Sequence, residues 1–140
     1  MKPAIPDATQ FLATVLRDDI MPQLTGFRAG NVGMAAAMLD MVAEQWDGAA
    51  ARLHAENKVL RALVARCAIH FGQTPPLTPD EEDLRISSLT RENEVLKTHL
   101  IDLHAAIEAD DSAVAGALNS EIWDFLRSSV ESQRISSANF

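Results

Sequence analysis

Few side chains in this sequence could carry chemistry, and those few are spaced as on helices. His99 and Asp102 stand three residues apart, and His104 and Glu108 stand four apart, so each pair shares a helical face and could offer two ligands to one metal ion. A carboxylate-bridged di-metal centre needs two Glu-x-x-His pairs and two further inward-facing Glu residues. The sequence contains no Glu-x-x-His. Two ligands do not make a site, and His54, His70, His99 and His104 all fall beside an apolar seam, where a His paired with a carboxylate is the ordinary outcome. Cys67, the single cysteine, occupies a seam position, where burial raises a thiol's pKa and blunts it as a nucleophile. Gly30-Asn31-Val32-Gly33 is no phosphate loop, because it lies inside a helical pattern with no strand before it. The expectation is a protein with no catalytic centre, no cofactor and no metal.

The elements that position these residues are two similar segments. Leu53-His54-Ala55-Glu56-Asn57-Lys58-Val59-Leu60 recurs, 36 positions on, as Leu89-Thr90-Arg91-Glu92-Asn93-Glu94-Val95-Leu96. Read as heptads, the first arm places Leu53, Asn57, Leu60, Val64, Cys67 and Phe71 in its seam. The second places Ile86, Leu89, Asn93, Leu96, Leu100, Leu103 and Ile107. Gly72 to Leu77, with two prolines, reads as a turn, which makes the arms a long antiparallel hairpin. Facing positions then have a constant index sum of about 151, and Asn57 with Asn93 meets it. The two amides are expected to bond to each other and fix the register, since a buried unpaired amide costs about 1–3 kcal/mol. A ligand-binding Asn pair and a parallel zipper between copies are the alternatives. Register specification also implies that replacing both Asn by Leu raises stability.

The remaining helices follow from caps and stripes. Asp7-Ala8-Thr9-Gln10 has the form of a capping box and opens a helix over about 7–21, ended by Pro22. A second helix covers 27–72, with a break possible in principle only at Asp47-Gly48. Unbroken, it would be a rod of roughly 69 Å. Thr78-Pro79-Asp80-Glu81 predicts the start of a third helix over 79–109, with its acidic first turn compensating the helix dipole. Asp111 caps a fourth over 111–134. Together these predict an all-α chain, one domain over 1–140, folded as an antiparallel four-helix bundle around the long hairpin.

Between 27 and 46 the sequence is apolar on nearly every side. A helix of that kind needs partners all round. Gly30 and Gly33 sit within it despite a helix penalty of about 1 kcal/mol each. Gly30, Gly33, Met34, Ala37, Met38 and Met41 are therefore the candidate contact of a homo-oligomer, a dimer being favoured. The rival reading is a binding protein for a small molecule or acyl group, with enzymatic activity left open, whose apolar cavity lies between helices one, two and four and is lined by Met34, Met38 and Phe125.

Composition bounds the rest. Hydrophobic residues make up 47% of the 140, enough for a core, and only 5% are aromatic. The net charge of −8 repels phosphate backbones and anionic membranes, and no run approaches the length of a membrane span. A cytoplasmic protein that binds neither nucleic acid nor membrane is expected.

Pro6-Asp7 through Leu16, Ile20-Met21-Pro22-Gln23-Leu24-Thr25-Gly26 and the Ala-rich helix after it resemble the N-terminal half of an uncharacterised all-helical family of bacterial proteins. Leu118-Asn119 through Ile122-Trp123 to Asn139-Phe140 resembles its C-terminal end. Members are often encoded beside acyl-CoA dehydrogenases and phosphotransferase-like proteins. The resemblance implies a bacterial, cytoplasmic accessory protein and supplies no activity.

Overall fold

The computed structural model describes residues 4–76 and 83–134. Among them the chain is all-α: helices α1 (Ile5–Thr14), α2 (Phe27–His70), α3 (Ile86–Glu108) and α4 (Ala113–Ser132), with no strand and with helix packing of the bundle type. Contacts divide the described residues into two compact units, residues 4–49 with Arg134 and the described part of residues 50–133, and α2 belongs to both.

In the first unit, α1 continues through a π-helical stretch, Val15–Ile20, and a 3-10 turn, Met21–Gln23. The expected Asp7 cap is not used. Ala4 is the N-cap and Pro6 lies inside the first turn, where its missing N–H is no loss. Gly26, at φ 59°, makes the left-handed connection to α2 that a side chain would oppose. Arg17 pairs with Asp40 of α2, and a Cβ at Gly33 would stand 3.3 Å from Met21 Sδ. Asp40 and Gly33 lie on the same side of α2 as the buried Ala36 and Ala43. Asp47-Gly48 does not interrupt α2.

The second unit packs the later part of α2 against α3 and α4. Its core joins Leu60, Leu63, Val64 and Cys67 to Leu96, Leu100, Leu103 and Ile107, and to Ala115, Leu118, Ile122 and Phe125. The direction of the arms corrects the expected hairpin. Asn57 bonds Asn93, and 13 residues further along α2 His70 Nε2 lies 2.7 Å from Asp110 Oδ2, beyond the far end of α3. Two such levels exist only if α2 and α3 run parallel, residue i facing residue i+36. The antiparallel hairpin is α3–α4, since α4 brings Glu121 to Arg66 and Ser129 back to Glu56.

The connection explains how parallel arms arise. Gly72, at φ 66°, ends α2 in a Schellman motif: its N–H donates to Ile69 C=O at 3.0 Å, and Gln73 N–H donates to Ala68 C=O at 2.8 Å. Pro75 and Pro76 then line a small pocket of about 200 Å³ with Arg61, Val64, Ala65 and Leu96, so the chain has turned back along α2. The 15 residues from 71 to 85 reach up to about 50 Å when extended, enough to retrace twenty helical residues, about 30 Å. The expected third-helix cap at Thr78-Pro79 lies outside the described residues. Asp83 to Arg85 are not helical, and α3 starts at Ile86 with Arg85 as its N-cap. At α4 the cap is Ser112, not Asp111: Ser112 Oγ accepts from Ala115 N–H at 3.2 Å, and Asp110 accepts from Ser112 N–H at 2.8 Å.

Candidate functional site: a buried polar layer and an open groove

The repeated Glu-Asn pair forms one polar layer inside the second unit. Asn93 Nδ2 donates to Asn57 Oδ1 at 2.8 Å. Asn57 Nδ2 donates to Leu89 C=O at 2.9 Å and to Glu92 Oε2 at 3.1 Å. Arg61 Nε donates to Glu92 Oε1 at 2.6 Å, and Lys97 Nζ stands 2.7 Å from Glu56 Oε1, which also accepts from Ser129 Oγ at 3.1 Å. Glu56-Asn57 and Arg61 map by 36 positions onto Glu92-Asn93 and Lys97, so the layer is nearly its own image across the parallel arms. Asn57 is fully buried, and Glu92 is 4% exposed.

The charges are matched within the layer. Burial pushes the Glu56 carboxyl up, but the Lys97 ammonium, with donors from Asn93 and Ser129, more than offsets this and holds it below the ordinary carboxylate value. Burial pushes the Cys67 thiol up, against the pull of Arg66. A raised thiol and charge-paired carboxylates offer neither a ready nucleophile nor a poised proton carrier. What the layer can do is fix which residues of α2 and α3 face each other. The Glu56, Glu92, Arg61 and Lys97 contributions were missed in the sequence; the matching Glu-Asn-x-x-x-Arg and Glu-Asn-x-x-x-Lys strings were the available signal.

The histidine pairs are separate. His99 and Asp102 are exposed. His104 Nε2 lies 2.9 Å from Asn119 Oδ1 and 3.6 Å from Glu108, and its ring meets Trp123 edge-on at 5.7 Å. Among the described residues no three His, Cys, Asp or Glu side chains are grouped to hold a metal. His70 holds the Asp110 carboxyl below its usual range by their hydrogen bond.

Beside the layer, α2 and α4 enclose an open groove of about 620 Å³. Ala55, Val59, Leu63 and Phe125 form its apolar floor. Ser128, Ser129 and Ser132 line one side, and Arg66 with Glu121 pair at one end. Phe125 thus lines a concave surface, whereas Met34 and Met38 lie in the first unit and are exposed.

Of the candidate contact residues in that unit, Gly30, Met34 and Met38 are exposed and Gly33, Ala37 and Met41 half-buried. No helix among the described residues is long and apolar enough to cross a membrane. Comparison with known proteins returns no family model that matches the chain, and no curated protein or solved structure similar to it at a significant level.

Proposed function

We propose that this chain is a non-enzymatic interaction or accessory protein that works as a homo-oligomer in the cytoplasm. Residues 50–133 act as its self-contained folded module, and residues 4–49 join the copies. The observation that carries this reading is an unfinished core: in residues 4–49 the buried hydrophobics are only Ala13, Ala36 and Ala43, while Phe11, Phe27, Met34 and Met38 are more than half exposed. Large apolar surface left open in this way is characteristic of association sites. The net charge of −8 supports a protein partner over nucleic acid.

Native mass spectrometry, with light scattering at micromolar concentration, tests the reading. A clean multiple of the chain mass is expected, and a single-chain mass at every concentration would overturn it. A second reading, a binding protein for a small apolar or acyl compound, is favoured by the α2/α4 groove, whose volume falls in the range of ligand sites. Retained mass above an integral multiple of the chain would support that reading instead.

A further inference from the structure

Gly30, Met34, Met38, Val42 and Trp46 recur every fourth residue along α2 and form one continuous row on its surface. Four of the five are large and open: Met34 is 62% exposed, Met38 59%, Val42 46% and Trp46 46%. Phe27, at 84%, lies on the same side. The other side of the helix is already used, by Ala36, Ala43, the Asp40 pair with Arg17 and the close approach of Gly33 to Met21. Among the described residues, and apart from its chain neighbours and the nearby backbone of its own helix, nothing comes within 4 Å of where a Cβ would stand at Gly30. The positions flanking the row, Asn31, Ala35, Met41 and Gln45, are uncharged, in a chain of which 23% is charged.

Resting on the self-association reading, we propose that the occupant of this face is a second copy of the chain, bound by the same row with α2 antiparallel to its twin. The two-fold axis passes beside Met38. Met34 of each copy opposes Val42 of the other, and the indole of Trp46 enters the gap left by Gly30. The row is suited to this because Gly30 at one end has no side chain and Trp46 at the other has the largest, while Met34 exceeds Val42 in length, so reversal matches large to small at both pairs. Rows of this four-residue spacing pack side by side when two helices cross at about −50°.

The area is sufficient. Aromatic side chains carry roughly 150–250 Å² each, so the row and Phe27 leave on the order of 500 Å² of apolar surface open per copy. That lies toward the upper end of the about 300–600 Å² of a monomer's largest apolar patch, which is often functional, and supplies most of the about 800 Å² that each partner brings to a standard interface. Because both copies use the same patch, the contact closes on itself and yields a dimer instead of propagating as a filament.

The test is light scattering on the full chain and three variants. Met38→Asp places a charge on the axis and is expected to raise the dimer dissociation constant by about a hundredfold or more, with unchanged helicity, since the site is exposed in the single chain. Gly30→Leu should also weaken the dimer while strengthening the helix itself by propensity, a pair of opposite effects that a purely local role would not give. Met38→Cys in a Cys67→Ala background should form a disulfide with its twin on mild oxidation.

A dimeric wild type with monomeric Met38→Asp and rapid cross-linking supports the proposal. A wild type that stays dimeric while Met38→Asp and Gly30→Leu dimerise equally well, or while Met38→Cys fails to cross-link, overturns this interface and leaves self-association to another surface. A monomeric wild type overturns both. Should Met38→Asp misfold, the cross-link alone decides.

Discussion

Residues 50–133 and residues 4–49 share one helix, α2, but use it in different ways. In the larger unit a polar layer is sunk among leucines, and each charge in it faces a counter-charge across the parallel arms. In the smaller unit the buried positions are alanines, and the principal ion pair, Arg17–Asp40, lies at the surface with side chains 45% and 31% exposed. Burial makes the first arrangement specific and unforgiving: an ion removed from water there must be paired or it costs several kcal/mol. Shallow packing makes the second permissive and leaves its large side chains available to something else. The difference teaches that one helix can serve as an internal lock along part of its length and leave an open apolar surface along another.

The sharpest way to break that contrast is to remove the same residue type from each unit. Arg61→Met leaves the Glu92 carboxylate, 5% exposed as a side chain, without its guanidinium. A loss of about 3–5 kcal/mol is expected, read as a fall in the denaturation midpoint of Trp123 fluorescence. A change under about 1 kcal/mol would mean that water reaches the layer.

Replacing Asn57 and Asn93 together by Leu comes next. Were the amides bonded only to each other, the double change would raise stability. Asn57 also donates to Glu92, and Asn93 also serves Glu56, so the exchange strips a donor from each of two buried carboxylates. A loss of about 2–4 kcal/mol is expected from two such groups, and a higher midpoint would show the carboxylates to be satisfied without the amides.

That reversal shows where sequence reading stops. The helices were legible because apolar residues recur with helical period, and the pairing of Asn57 with Asn93 follows from the 36-residue repeat. Direction was not legible. Glu56 with Lys97, Arg61 with Glu92 and Asn57 with Asn93 lie around one level, and pairs at one level satisfy a constant index sum as well as a constant offset. Only a second level separates the two, and it is supplied by His70 with Asp110, residues that no periodicity links. The turn at Gly72 was read correctly as a stop and wrongly as a tight reversal, because the length of chain that follows carries the information and its prolines only begin it. In the smaller unit, exposure of Met34 and Met38 was invisible for a related reason: an all-round apolar helix states that partners exist without saying whether they belong to the same chain.

Acid separates the units more gently. The folded-state pKa of Glu56 lies below its ordinary value of 4.5, so its stabilising contribution is complete above that value and is lost as the pH falls through the folded pKa. Asp110, held down by His70, shifts in the same direction. Stability read at Trp123 is therefore expected to decline progressively below the ordinary carboxylate range, and Glu56→Gln should flatten part of that decline while lowering the plateau at neutral pH. An unaltered acid profile in Glu56→Gln would show that Lys97 does not hold the carboxylate in its charged form.

The smallest effect belongs to the counterpart of the first change. Arg17→Met removes the cation from a surface pair, which gains little in water, is screened by salt and must immobilise two flexible side chains. A change of less than about 1 kcal/mol is expected, read at Trp46 in a Trp123→Phe background, and it should shrink further as salt is added. A loss matching that of Arg61→Met would place Arg17 in a desolvated setting and erase the distinction between the units. A small loss would keep the Arg17–Asp40 pair as a screened contact on the side of α2 that carries Ala36 and Ala43, opposite the row from Gly30 to Trp46 that is proposed for association.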